Sequence, residues 1–420
     1  MDRLLRKGAA SARLIANLRM RFETFFCVLL VASWVAACSA PAQTPPEEAL
    51  SPGRPASAET EAVAEGQAFA TPAAPLDISG PVVEQPALLA LHMLDEWNGW
   101  GLTADAVLRT NDGGVTWRNL SPPAAEGEAG FGYRGGSAFL SAAQAWVLIT
   151  DAADPLGGGS LYRSQDGGKT WSSSQVPLGS ADLTFLDEQN GWAMVGLGVG
   201  AGSMGVAVYR TADGGATWEQ VYTNDPNLPN AAKGLPLSGL KNDLTPLDAR
   251  TAWISGVIYA PETFYFFKTD DGGHTWVEQP LPLPPGTQGA EISIDSGPIF
   301  FSAQQGILAV RFSGESYKTA FYVTADGGQS WQFLASLPGA GSVDFVSPLE
   351  GFFWTGEQFF FTADGGASWT SVTPDVLFGE AFAGMDFVDA HSGWVWTYDL
   401  SGRYGLYRTG DGGRTWRPLK

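Results

Sequence analysis

From residue 89 to the end of the chain, apolar residues come in short runs separated by fixed groups of small and polar residues. No stretch carries the three-to-four-residue periodicity of a helix. The clearest punctuation is Ser/Thr-x-Asp-Gly-Gly-x-Thr/Ser-Trp, which recurs at Thr110–Trp117, Ser164–Trp171, Thr211–Trp218, Thr269–Trp276, Thr324–Trp331, Thr362–Trp369 and Thr409–Trp416. A lone Asp-Gly-Gly is a weak turn signal, but seven copies with the aromatic in register define a repeat. The Asp can accept backbone N–H groups of its own turn, the glycines permit positive φ, and the Thr-Trp pair resumes an extended strand. The Trp then supplies a large apolar plate for packing between sheets.

A second unit precedes each box: Asp or Ser, three residues, Gly or Ala, then a large apolar residue. It reads Asp95…Gly99-Trp100, Ser141…Ala145-Trp146, Asp187…Gly191-Trp192, Asp248…Ala252-Trp253, Ser302…Gly306-Ile307, Ser347…Gly351-Phe352 and Asp389…Gly393-Trp394. Each repeat therefore predicts four strands. Strand A ends at the Asp/Ser turn, B starts at Gly-Trp, C runs into the box, and D begins at the box Trp. Four strands at a period near 50 residues predict an all-β fold, a seven-bladed β-propeller with four antiparallel strands per blade over residues 81–420. The segment Ile78–Val83 can add an edge strand.

Composition agrees, with 53 Gly, 16 Trp and 24 Phe among only 16% charged residues. The two cysteines, Cys27 and Cys38, lie near the start, so the body can form no disulfide, and a propeller of this size needs none. Residues 1–37 join a basic segment to an apolar run that ends Val35-Ala36-Ala37-Cys38, the shape of a signal peptide too short for a comfortable membrane span. Met20 is an alternative start. Residues 38–80 are rich in Pro, Ala and Glu and cannot bury enough surface to fold, so they read as a disordered spacer. The leader carries six basic and two acidic residues, so the formal charge of −20 becomes −24 without it. That surface repels phosphate, and nucleic-acid binding is not expected.

The combined motifs resemble the BNR/Asp-box superfamily and are similar to the photosystem II assembly and stability factor family. The resemblance covers about residues 85–420 and implies the propeller fold; sialidases, xyloglucanases and sortilin-type receptors carry the same boxes, so it says little about function. Val-Ala-Ala-Cys resembles a lipobox, which implies that Cys38 carries a lipid and that the exported body meets the membrane through this anchor alone.

A sialidase-like site implies an arginine clamp and an Arg-Ile-Pro signature. Arg-Ile-Pro is absent, and most body arginines sit beside or within the boxes. The resemblance to the photosystem-factor family likewise implies an arginine-rich patch, which this acidic body does not carry. A glycoside hydrolase using two carboxylates stays open as the alternative. His92, His274 and His391 are widely separated and read as packing or solvent-facing residues, so neither a metal nor another cofactor is expected. The box aspartates Asp112, Asp166, Asp213, Asp271, Asp326, Asp364 and Asp411 read as turn closures, since a residue repeated around a ring does the same job each time.

The favoured expectation is a monomeric, non-catalytic binding scaffold for a protein or glycan partner. Strand parity puts the uniform A–B and C–D turns on one face and the variable B–C and D–A connections on the other. The variable face is the expected binding face, with Tyr133, Arg134, Tyr259, Tyr317, Tyr398 and Arg403 as anchors, because Tyr and Arg dominate binding hot spots.

Overall fold

The computed structural model describes residues 78–123, 136–150 and 158–419. Cys38, the leader and the spacer up to residue 77 lie outside the described residues, as do Tyr133 and Arg134. Among the described residues the chain is all β, with helix confined to short 3-10 turns such as Gly379–Ala381. Each repeat lays strands A to D side by side in an antiparallel sheet. In the third repeat these are Ala181–Phe185, Gly191–Gly200, Ser203–Thr211 and Glu219–Thr223. The sheets of the fourth and fifth repeats meet through a single pairing, Val257 with Ser293. In the first repeat Val82–Val83 pairs outside strand D, as the sequence allowed. Residues ahead of it already belong to the body, because Ile78 is buried and the Gly80 carbonyl accepts from Arg118 at 2.9 Å.

One boundary differs from expectation. In six repeats strand D starts one residue after the box Trp, as at Glu219 after Trp218 and Thr370 after Trp369. The Trp finishes the turn instead, and four of these indoles donate back to a box glycine, as Trp276 Nε1 does to Gly273 O at 3.0 Å.

The turn chemistry is local and repeats faithfully. In the third box, Asp213 Oδ1 accepts from Thr217 N at 2.9 Å and Oδ2 from the Thr217 hydroxyl at 2.6 Å, while the Thr211 hydroxyl accepts from Gly215 N at 2.9 Å. Gly214 and Gly215 sit at φ of 73° and 90°, where a side chain would be strained. In the A–B turn, Asp187 Oδ1 accepts from Gln189 N and Asn190 N at 2.7 and 2.8 Å. The two turns are tied together, because Gly214 N donates to Gln189 O at 2.9 Å, and the equivalent bond recurs in all seven repeats. Both uniform turns therefore lie on one face.

Neighbouring sheets are held by tryptophans at the start of strand B. Trp100, Trp146, Trp192, Trp253 and Trp394 are completely buried. Three of their ring nitrogens reach the next repeat directly, Trp100 donating to Ser141 O at 3.0 Å, Trp146 to Gly214 O at 2.9 Å and Trp192 to Asp248 O at 3.2 Å. Trp253 instead donates to Gln279 of its own repeat, whose amide reaches Gly328 O at 2.7 Å. Each carries a cation on its ring from strand C, with Arg109, Arg163, Arg210, Lys268 and Arg408 lying 4.7 to 5.7 Å from the ring centroids. Where the fifth and sixth repeats substitute Ile307 and Phe352, apolar contact takes over, and Phe352 stacks on Phe387 at 3.7 Å. The last repeat closes onto the first through Trp394 Nε1 to Gly113 O at 2.9 Å and a shared core of Leu91, Met93, Trp394 and Leu406.

Candidate binding faces and the central channel

The A strands of the second and third, third and fourth, sixth and seventh, and last and first repeats lie side by side. They surround the axis, and period-two alternation turns one face of each strand toward it. Counting back one or three positions from the apolar residue that ends strand A gives His92, Asp182, Asp243, Asp344 and Asp386. The structure uses three of these carboxylates to tie neighbours together. Asp386 accepts from Met93 N of the first repeat, Asp344 from Phe387 N of the seventh at 2.7 Å, and Asp243 from Gly297 N of the fifth at 2.7 Å.

Enclosure raises the proton affinity of Asp386, Asp344 and Asp182. Burial, reinforced by the charge of Asp344, pushes Asp386 up to about 8, and burial pushes Asp344 up to about 6. Burial and the neighbouring Asp243 raise Asp182 to about 6. Asp182 and His92 have exposed side-chain surface although protein encloses them on most sides, the situation of residues lining a narrow wet channel. The same enclosure lowers His92, which stacks on Phe139 at 6.4 Å. The repeat motifs gave no sign of this acidic channel, because the residues vary between repeats; alternation within strand A was the available signal.

On the B–C/D–A face the four described anchor residues are spread over three loops. Tyr259 is exposed and lies beside Gly202, the tip of the long third-repeat hairpin. Tyr317 is exposed at the start of a C strand, where its carbonyl accepts from Gly339 N at 2.9 Å. Tyr398 packs on Tyr404 at 4.6 Å, and Arg403 is bound within its own loop to Asp399 at 2.7 Å. Tyr398 and Arg403 thus share one loop of the last repeat, while Tyr259 and Tyr317 belong to the fourth and fifth.

Lys241 stiffens this face in a way the sequence did not announce. It is 4% exposed, and its ammonium donates to the carbonyls of Met204, Leu237 and Gly239 at 2.9 to 3.0 Å. Burial lowers it to about 8. It pins the long connection between the third and fourth repeats against the third-repeat hairpin. Among the described residues no group of three or more His, Cys, Asp or Glu is placed to hold a metal ion, and no helix is long and apolar enough to cross a membrane.

The BNR/Asp-box repeat family matches residues 162–173. No curated protein matches the sequence. Among solved structures, YCF48 from Cyanidioschyzon merolae is similar at 19% identity and a TM-score of 0.50, over 79% of this chain and 95% of that one. The GH74 xyloglucanase from Xanthomonas campestris is similar at 14% identity and a TM-score of 0.50, over 81% of this chain and 55% of that one. YCF48 bound to D1 peptide also matches, at 18% identity and a TM-score of 0.48, over 81% of this chain and 97% of that one. The fold is thus an Asp-box β-propeller similar to the photosystem II factor, and proteins with and without catalytic activity share it.

Proposed function

We propose that this Asp-box propeller is a seven-bladed, exported and lipid-anchored scaffold that binds a protein or glycan partner on its B–C/D–A face without chemical turnover. The carrying observation is how its charged groups are used. Asp243, Asp344 and Asp386 hold neighbouring strands through backbone N–H groups, while Arg109, Arg163, Arg210 and Arg408 lie against buried tryptophans. Groups that a glycosidase propeller would turn toward substrate here fasten repeats to one another. A rigid ring with pinned, variable loops meets the requirements for recognition.

A pull-down with the full chain tests the binding face. Alanine at Tyr133, Arg134, Tyr259, Tyr317, Tyr398 and Arg403 should release the partner, and alanine at the turn residues Glu188 and Glu350 should not; equal loss from both sets refutes the assignment. Labelling with a palmitate analogue should depend on Cys38, and labelling that survives Cys38→Ala removes the anchor.

One observation favours a second reading. Asp182 is raised by burial and by the charge of neighbouring Asp243, and a carboxyl of raised proton affinity beside a second carboxylate is the equipment of a glycoside hydrolase. Reducing-sugar release from a panel of polysaccharides separates the two. The scaffold reading expects none above background, whereas release abolished by Asp182→Asn establishes the hydrolase.

A further inference from the structure

The seven A–B turns share one backbone, but the first differs in what it displays. At its third position stands Trp97, where the other repeats have Ala143, Gln189, Arg250, Gln304, Leu349 and His391. The backbone there does the common job, with Trp97 O accepting from Gly113 N at 2.9 Å, so the side chain is free to serve another purpose. It is 53% exposed, the most exposed tryptophan among the described residues. Arg408 of the last repeat covers one side of it, its guanidinium carbon 5.3 Å from the Trp97 ring and 5.2 Å from buried Trp394. An indole held in this way is preorganised, so a ligand stacking on it loses little side-chain entropy by binding.

Between the last and first repeats lies a cavity of about 730 Å³ whose charged lining is Glu96, Asp389, Asp411, Arg408 and Arg417. Trp97 stands outside that lining and adjoins it through Glu96, its chain neighbour, and Arg408. That volume falls in the range of small-ligand sites, about 300–1,000 Å³. Leu419 is its one large apolar lining residue, so it offers no pocket for the apolar anchor of a peptide. Its charges are mixed at close range, with Glu96 3.8 Å from Arg408 and with Asp389 and Asp411 lining the same cavity as Arg417. Planar donors and acceptors alternate there. An anion would meet the carboxylates, and a cation the guanidiniums; neighbouring hydroxyls, which each donate and accept, satisfy both.

We propose that this seam groove binds a neutral oligosaccharide, with Trp97 as the platform for a pyranose ring and Glu96, Asp389 and Arg417 as hydrogen-bond partners of its hydroxyls. The groove opens on the A–B/C–D face, opposite the loops assigned above, so the two sites stand or fall separately.

Native gels cast with dextran, galactomannan or mixed-linkage β-glucan test it, with alginate and dextran sulfate as charged comparators and the full chain as the sample. At least one neutral polysaccharide should retard the protein. Trp97→Ala should weaken apparent affinity about tenfold, as loss of a central aromatic anchor does, and Trp97→Phe should retain most of it. Should Trp97→Ala melt far below the parent, the exposed Arg417→Ala and the conservative Glu96→Gln take its place, each expected to weaken retardation several-fold. The proposal is overturned by retardation in the charged gels alone, by no retardation in any neutral gel, or by retardation that these variants leave unchanged.

Discussion

The box aspartate shows how much a single side chain can specify. In the fifth box, the Ser330 hydroxyl and N–H, together with the Thr324 hydroxyl, hold Asp326 down at about 2. Such a group stabilises the fold above its unfolded value near 3.9, and that contribution disappears as pH falls through its folded value. In six of the seven boxes both carboxylate oxygens are engaged within the turn itself. We expect Asp213→Ala to cost about 1–2 kcal/mol, the range for losing a hydrogen-bonded turn acceptor. Thermal melts should show the same loss with and without chelator, and a parent protein that melts sharply lower in chelator would contradict this. Lys241 makes the opposite kind of contribution, since its removal strands buried carbonyls. Lys241→Met should cost about 2–3 kcal/mol by chemical denaturation, and full stability in that variant would remove its role as a pin.

At the scale of strands and sheets, the B-strand tryptophan is the recurring fastener, and its effect can be measured at the closure. Trp394→Phe keeps the apolar plate but deletes the bond to Gly113 O and leaves that carbonyl buried. The expected loss is about 1–2 kcal/mol. Because the ring closes there, protease should cut the variant first in the outer strands of the first and last repeats. Uniform cleavage across all repeats would show that closure is not the weak point. Where Phe352 and Ile307 replace tryptophan, the neighbours adapt with further aromatics such as Phe345, Phe359 and Phe387, so the sheets meet without a polar staple.

At the scale of the whole molecule, the channel and the boxes respond to pH in opposite senses. Asp386 and Asp344 titrate at about 8 and about 6 in the folded protein, above their unfolded values near 3.9. A raised group stabilises fully below its unfolded value, and that contribution is lost as pH rises through its folded value. Asp166, Asp213, Asp271, Asp326, Asp364 and Asp411, held low by their turns, withdraw their contribution only in acid. Stability should therefore peak near about pH 4, falling from there toward about pH 8 as the channel carboxylates lose their contribution and below about pH 4 as the boxes protonate. Asp386→Asn can still accept from Met93 N but cannot ionise. Its melting temperature should exceed the parent's at pH 8 by on the order of 2 °C, the shift that about 1 kcal/mol produces in a large domain, and match it near pH 4. Parallel pH profiles for the two proteins would show that the channel carboxylates do not govern the alkaline limb.

What the sequence determined by itself is the repeating unit. Both turns are closed by atoms within four residues of one another, such as Asp213 with Thr217 and Asp187 with Asn190, so their chemistry is written contiguously and could be read without coordinates. The edge strand at Val82–Val83 and the common face of the two turns followed from pattern and parity. Several things belong to the tertiary structure alone: the acidic channel, the pin at Lys241, the groove beside Trp97, and the discovery that box-flanking arginines lie on tryptophans. Asp386 meets Met93 across 293 positions and Trp394 meets Gly113 across 281. Local sequence cannot encode such pairs, because closing the ring, and not any preference of the segments themselves, brings their ends together.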